Sequence, residues 1–216
     1  MSPRKTTQPT PVHSQIRVPQ HYHSQPVISR LISRYGLTVN ITAASLAQDS
    51  HNYGWFDLEL QGNPEQITDS LCYLQRLGVD LMQLGIMGKT LSKPTSLSFS
   101  TAYSNYSKQS APLTTQWESL QHGVSVGQSN RVRLQLCILK TYYQKPVISE
   151  LVSRYGLTVN ITSASLNPNQ ESDGWFNLDL WGKPKQLFSS LNYLEELGLP
   201  LWLDYSALYG NPNLIV

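Results

Sequence analysis

Two sets of residues carry most of the chemistry in this 216-residue chain, and they stand at a constant offset. Asn40, Thr42 and Trp55 form the first set; Asn160, Thr162 and Trp175, each 120 positions later, form the second. Asn supplies two N–H donors and a carbonyl acceptor, Thr a hydroxyl, and Trp a flat apolar surface. That mixture suits a small amphoteric ligand such as an amino acid. The same residues also have a structural use: Asn and Thr can satisfy backbone groups on a twisted strand, while Trp packs where two domains meet. Both interpretations stay open at the level of residue types.

Catalytic constellations are weaker. His13, His21, His23, His51 and His122 lie outside the repeated motifs, and the matching positions 120 residues on hold no histidine. His21-x-His23 has a spacing that a metal can use, but beside Pro19 it reads as a pair of surface histidines. Asp57 and Glu59 offer an acid–base pair, yet their counterparts are Asn177 and Asp179, and no nucleophile stands with them. A solvated strand edge explains them better. There is no glycine-rich phosphate loop. Cys72 and Cys137 align with Asn192 and Arg17, so they make no repeated redox pair, disulfide framework or zinc cage. The expectation is a non-enzymatic protein with no metal and no cofactor.

The elements that position the two sets come from a duplication. PVISRLISRYGLTVNITAASL at Pro26 returns as PVISELVSRYGLTVNITSASL at Pro146, and GWFDLELQGNP at Gly54 as GWFNLDLWGKP at Gly174. Ungapped alignment of residues 25–84 with 145–204 gives 33 identities in 60 positions. In each copy the order reads strand, helix, strand, strand, helix, strand. RVRLQLCILK alternates with period two, as a half-buried strand does, and Gln15-Ile16-Arg17-Val18 keeps that alternation for fewer residues. Val27, Ile28, Leu31, Ile32 and Tyr35 recur at helical spacing between Pro26 and Gly36. LTVNITAASL turns Leu37, Val39 and Ile41 to one face and Thr38, Asn40 and Thr42 to the other. GWFDLEL puts Phe56, Leu58 and Leu60 inward and Trp55, Asp57 and Glu59 outward. Asn63-Pro64-Glu65-Gln66 is a capping-box start for a helix with its stripe at Ile67, Leu71, Leu74 and Leu77, and VDLMQL or LPLWLD closes the copy.

A βαββαβ order predicts an α+β fold of two ferredoxin-like domains, each with both helices on one face of a four-stranded antiparallel sheet. The expected divisions are a tail at 1–14, domains at 15–85 and 130–206, a linker at 86–129 and a second tail at 207–216. Residues 88–129 hold 15 Ser or Thr in 42 positions and one acid, Glu118, the composition of a flexible tether. Its aromatics Phe99, Tyr103, Tyr106 and Trp117 read as incidental, with docking on a partner or a domain as the alternative. Such a tether spans roughly 35 Å by random-coil scaling, so pairing of the copies within one chain or between chains is permitted.

Composition narrows the partners. Sixteen basic against 14 acidic residues give +2, but residues 25–84 and 145–204 are each −3, from 3 basic and 6 acidic groups and from 4 and 7. Phosphate backbones favour a basic stripe, so the exposed sheet aromatics do not make this an RNA binder. No run approaches the roughly 18 apolar residues of a membrane helix. The N-terminal residues lack the apolar segment of a secretory signal, so a soluble cytoplasmic protein is expected.

The runs quoted above resemble the NIL domain family, named for an Asn-Ile-Leu motif in its second strand. The motif stands here as Asn40-Ile41-Thr42 and Asn160-Ile161-Thr162. With it come the Pro-hydrophobic helix start, the Tyr-Gly helix end, the third strand ending in Gly and the last helix ending in Leu-Gly. The resemblance covers both repeats and excludes the tether and tails. It implies a bacterial regulatory domain similar to the C-terminal domain of methionine-importer ATPase subunits, which binds methionine and restrains transport. Domains of the family also stand beside iron–sulfur ferredoxin domains. In the transporter group the sites form where two such domains pair through their sheets, which carries the motif asparagine over to Asn40 and Asn160. Two departures stand out: Thr replaces Leu in both copies, and the chain has neither an ATPase domain nor ferredoxin cysteines. The expectation is a tandem sensor that binds a small amino acid near Asn40 and Asn160 and signals to a transporter or an enzyme. The alternative is a ligand-free adaptor that uses the open sheet faces with Trp55 and Trp175.

Overall fold

The computed structural model describes residues 11–47, 53–86, 130–169 and 172–203. The first copy consists of β1 (Val12–Val18), α1 (Val27–Tyr35), β2 (Thr38–Leu46), β3 (Gly54–Gln61), α2 (Pro64–Arg76) and β4 (Asp80–Ile86). The second consists of β5 (Asn130–Ile138), α3 (Val147–Ser153), β6 (Thr158–Leu166), β7 (Gly174–Gly182), α4 (Pro184–Glu196) and β8 (Leu201–Leu203). A single 3-10 turn precedes each first helix, at Gln20–Tyr22 and Lys140–Tyr142. The strand order within each copy, β4-β1-β3-β2 and β6-β7-β5-β8, is the split arrangement that the sequence predicts. The stretch read as a tether and most of both tails lie outside the described residues.

Local chemistry sets the element ends. Asn63 accepts the Gln66 N–H at 2.8 Å, and Gln66 Oε1 accepts the Asn63 N–H at 2.9 Å, a reciprocal capping box with Pro64 in the first turn. Gly36 closes α1 at φ +66°, a left-handed cap that a Cβ would strain. β1 begins at Val12, inside the segment expected to be a tail. Its alternation is real but hidden, because Ser14 occupies a core-facing position and is 2% exposed.

Phe56, Leu58 and Leu60 of β3 are buried against Leu31 and Leu74 of the two helices, and Leu178, Leu180, Leu151 and Leu194 repeat the pattern in the second copy. Each fully buried leucine contributes roughly 2 kcal/mol of transfer free energy. The two cores are not separate. Buried residues of both copies form one continuous apolar cluster.

The joint is a strand pairing. β2 and β6 run antiparallel and match Ala44 with Leu166, Ser45 with Ser165 and Leu46 with Ala164, so all eight strands form one sheet. The registers are symmetric about Ser45 and Ser165, which are 120 residues apart, so a pseudo-twofold axis passes between them. Gly54 and Gly174 make room beside this joint: a Cβ on either would sit 2.5 or 2.6 Å from the Cδ1 of Leu46 or Leu166.

Candidate functional site

Only three residue pairs join β2 to β6, so the N-terminal halves of both strands need other partners for their edge amides. The opposite copy supplies them. Ser149 Oγ on α3 accepts the Val39 N–H at 3.1 Å, and Ser29 Oγ on α1 accepts the Val159 N–H at 3.1 Å. One residue further along, the Asn40 side-chain amide donates to the Tyr143 carbonyl at 2.9 Å, and that of Asn160 to the His23 carbonyl at 3.1 Å. All four bonds obey the 120-residue offset. The two asparagines are 6% and 2% exposed, so they lie under the other copy rather than on an open face.

Each asparagine thereby lines a cleft between the copies. The first runs from Asn40 to Tyr143, Lys145 and Val147 and encloses about 280 Å³ of void, counting its open mouth. Its symmetry mate runs from Asn160 to His23, Gln25 and Val27 and encloses about 330 Å³. The closed part of either cleft has room for about one water molecule. Walls of Val, Ile, Pro and Leu surround a few polar groups in both, the composition of a small-molecule site.

The other sequence-predicted residues go elsewhere. The β2 and β6 registers slip after Ile41 and Ile161, and the threonines fill these bulges. Thr42 Oγ1 donates to the Asp57 carbonyl at 3.3 Å, and Thr162 Oγ1 to the Asn177 carbonyl at 3.2 Å. Trp55 faces away from the helices opposite Ser45, four residues along β3 from Glu59, the partner of Asn40. That is about 13 Å of strand, so the structure does not bring Trp55 to Asn40. Trp175 stacks on Trp202 of β8, with ring centroids 5.5 Å apart and planes at 28°.

On the helix-free face several polar groups pair with one another beside the partly exposed Trp175 and Trp202. Gln15 donates to Asp57 at 2.7 Å, and burial, partly offset by that bond and by His13, raises the Asp57 pKa. Glu59 receives the Asn40 amide at 3.4 Å and has His13 Nε2 at 3.8 Å. In the second copy Asp179, 2% exposed, takes Arg131 at 2.6 Å and Arg133 at 2.9 Å. Cys137 is buried beside this network, and burial followed by the Asp173 charge pushes its thiol up to about 11. These groups are arranged as pairs, and among the described residues these bonds hold no nucleophile against a base.

Sequence reasoning missed the residues opposite the asparagines: His23, Tyr143, Ser29 and Ser149. The serines did leave a signal, since a Ser recurs at one buried position of an otherwise apolar helix face in both copies. His23 and Tyr143 left none, because they differ from each other. His23 Nε2 accepts the Gly54 N–H at 3.2 Å. Tyr143 donates its hydroxyl to the Ser172 carbonyl, and its phenol is raised by burial, then by Asp173 and Cys137, which keeps the donor proton in place.

Comparison with known proteins identifies the repeated unit. A stretch of 86 residues, 40% of this chain, is 40% identical to an uncharacterized protein of Synechocystis sp. and covers 88% of it. A stretch of 73 residues, 34% of the chain, is 33% identical to an uncharacterized protein of Synechococcus elongatus and covers 90% of it. Both relatives are about as long as one copy. Among solved structures, the acetolactate synthase small subunit from Thermotoga maritima aligns over 91% of this chain and 98% of its own, at 10% identity and a TM-score of 0.25. That score is too low to equate the two architectures. The profile of the NIL domain matches residues 13–82 and again 132–202, so the chain belongs to the NIL domain family and carries the domain twice.

Proposed function

We propose that this chain is a non-catalytic regulatory protein that binds a small amino acid, methionine-like in its apolar side chain, at the clefts of Asn40 and Asn160. One observation carries the proposal: each family asparagine spends its amide on the main chain of the other copy. A ligand that competes for this amide acts directly on the pairing of the copies. The closed clefts hold only about a water molecule, so a larger ligand binds an opened arrangement more tightly than the closed one. Such a difference in affinity is what couples binding to a conformational signal. A transporter or an enzyme that reads the pairing of the copies is the receiver that fits the family resemblance.

Calorimetry and thermal melting of the intact chain against the twenty amino acids at millimolar concentration test this. At least one is expected to bind and to shift the melting temperature, as ligands that prefer the native state do. No heat and no shift from any of them overturns the proposal.

The stacked Trp175 and Trp202 support a second possibility, an adaptor that docks a protein on the helix-free face. Trp175→Ala discriminates: it leaves amino-acid binding intact in the first case and removes partner capture in the second.

A further inference from the structure

The two clefts are mates by symmetry but not by chemistry. Asn40 directs both amide hydrogens to partners, one to the Tyr143 carbonyl at 2.9 Å and the other, in a long contact, to Glu59 Oε2 at 3.4 Å. Asn160 commits one, to the His23 carbonyl, because Asp179, the counterpart of Glu59, is turned to Arg131 and Arg133. The second amide hydrogen of Asn160 has no hydrogen-bond partner among the described residues, whereas the side-chain carbonyl oxygens of Asn40 and Asn160 are alike in accepting no bond there. The facing side chains differ in the same sense. Tyr143 is 4% exposed and anchored through its hydroxyl to the Ser172 carbonyl, whereas His23, which accepts the Gly54 N–H through Nε2, is only half-buried. Near the mouths, Lys145 lies 3.7 Å from Glu150, while Gln25 accepts from Arg30 at 3.0 Å.

We infer that the two clefts have divided their tasks: the Asn160–His23 cleft is the one that opens and takes ligand, and the Asn40–Tyr143 cleft is the hinge that stays shut. The chain then binds one ligand, not two. Its Asn160 cleft selects a compact molecule with an apolar side chain, held by one amide donor and one carbonyl acceptor of Asn160 and flanked by the neutral Gln25 side chain. The ligand part of this inference rests on the function proposed above; the hinge part rests on the hydrogen bonds alone.

The two parts are separated by experiment. Hydrogen exchange on the ligand-free protein compares the symmetry-related amides of Val159 and Val39, each bonded to a serine of the other copy. Val159 is expected to exchange roughly five-fold faster, the effect of about one fewer supporting hydrogen bond. Equal rates, or a faster Val39, overturn the hinge. In the second arm the twenty amino acids are titrated into the wild type, His23→Tyr and Tyr143→His, with circular dichroism of each variant confirming the fold. His23→Tyr installs the residue that the other cleft already accommodates. The expected result is one site per chain, lost in His23→Tyr and kept in Tyr143→His. Two equal sites, or binding indifferent to His23→Tyr, overturns the assignment while leaving the proposed function standing. If no amino acid binds the wild type, the proposed function and the ligand assignment both fall, and the exchange rates still decide the hinge.

Discussion

The Asn40 side-chain amide and the Tyr143 main-chain carbonyl meet at 2.9 Å across 103 residues of sequence, and the bond is buried. It joins the strand edge of one copy to the segment that leads into the first helix of the other. Because the apolar cluster is continuous through the same region, the two copies are expected to unfold as one cooperative unit. Asn40→Ala leaves the Tyr143 carbonyl without its partner, an expected loss of about 1–3 kcal/mol. Urea unfolding followed by tryptophan fluorescence is expected to show one transition in wild type and variant, with the variant's midpoint lower. Two separated transitions in the wild type contradict this.

Ser29→Ala and Ser149→Ala each orphan one edge amide, of Val159 and Val39. Each is expected to cost about 1–2 kcal/mol. Local exchange of the orphaned amide in each variant checks the assignment, since a general loss of helix stability would not single it out.

The carboxylate of Asp179 is almost fully buried and held by two guanidiniums. Removing both, in an Arg131→Ala/Arg133→Ala variant, leaves an uncompensated buried charge, at a cost of about 3–5 kcal/mol. Removing the whole cluster with Asp179→Leu in the same background is expected to recover much of the loss. Denaturant midpoints of the two variants decide it.

Asp57 gives a pH-dependent prediction. Burial raises its native pKa above the ordinary 3.8, against smaller opposing effects of the Gln15 bond and His13. The folded state therefore holds this proton more tightly than the unfolded chain does. Its contribution to stability is fully present below pH 3.8 and is lost as pH rises through the native value. Asp57→Asn copies the Gln135–Asn177 pair of the second domain, which meets at 3.2 Å. The variant is expected to be more stable than wild type at pH 7 and no more stable near pH 3, as urea titrations at the two values will show.

The thiols are predicted to differ. Cys137 is buried with its pKa near 11, whereas Cys72 is partly exposed on α2. Iodoacetamide at pH 8 is expected to modify Cys72 in the native protein and Cys137 only after unfolding. Mass spectrometry of the labelled peptides reads this directly.

Much of the fold was legible because periodicity and capping are local. Leu58 and Leu60 declare an inward face by alternation, and Asn63 with Gln66 declares a helix start by spacing. The sheet order follows from those elements and the handedness of their connections. The burial of Asn40 was not legible, since alternation says which face a side chain takes and not what will lie against it. Thr42 looked like a ligand group because a bulge cannot be read from an unbroken strand pattern. Ser14 hid the start of β1 by placing a hydroxyl where the apolar rhythm leads one to expect Val or Ile. The proposed division between the two clefts draws on Glu59 and Asp179, and also on His23 and Tyr143, which differ from each other, so comparison of the copies passed over that last pair.

The covalent union of the two domains has one more consequence. A domain present as a single copy per chain could form such a strand pairing only with a second molecule, so that pairing would depend on concentration. Here the second domain is part of the same chain, so its pairing with the first does not depend on how much protein is present. Under the proposed function, occupancy of the cleft then depends on the ligand and not on how many molecules of the protein a cell contains. A regulator built this way gives the same dose–response at low copy number as at high.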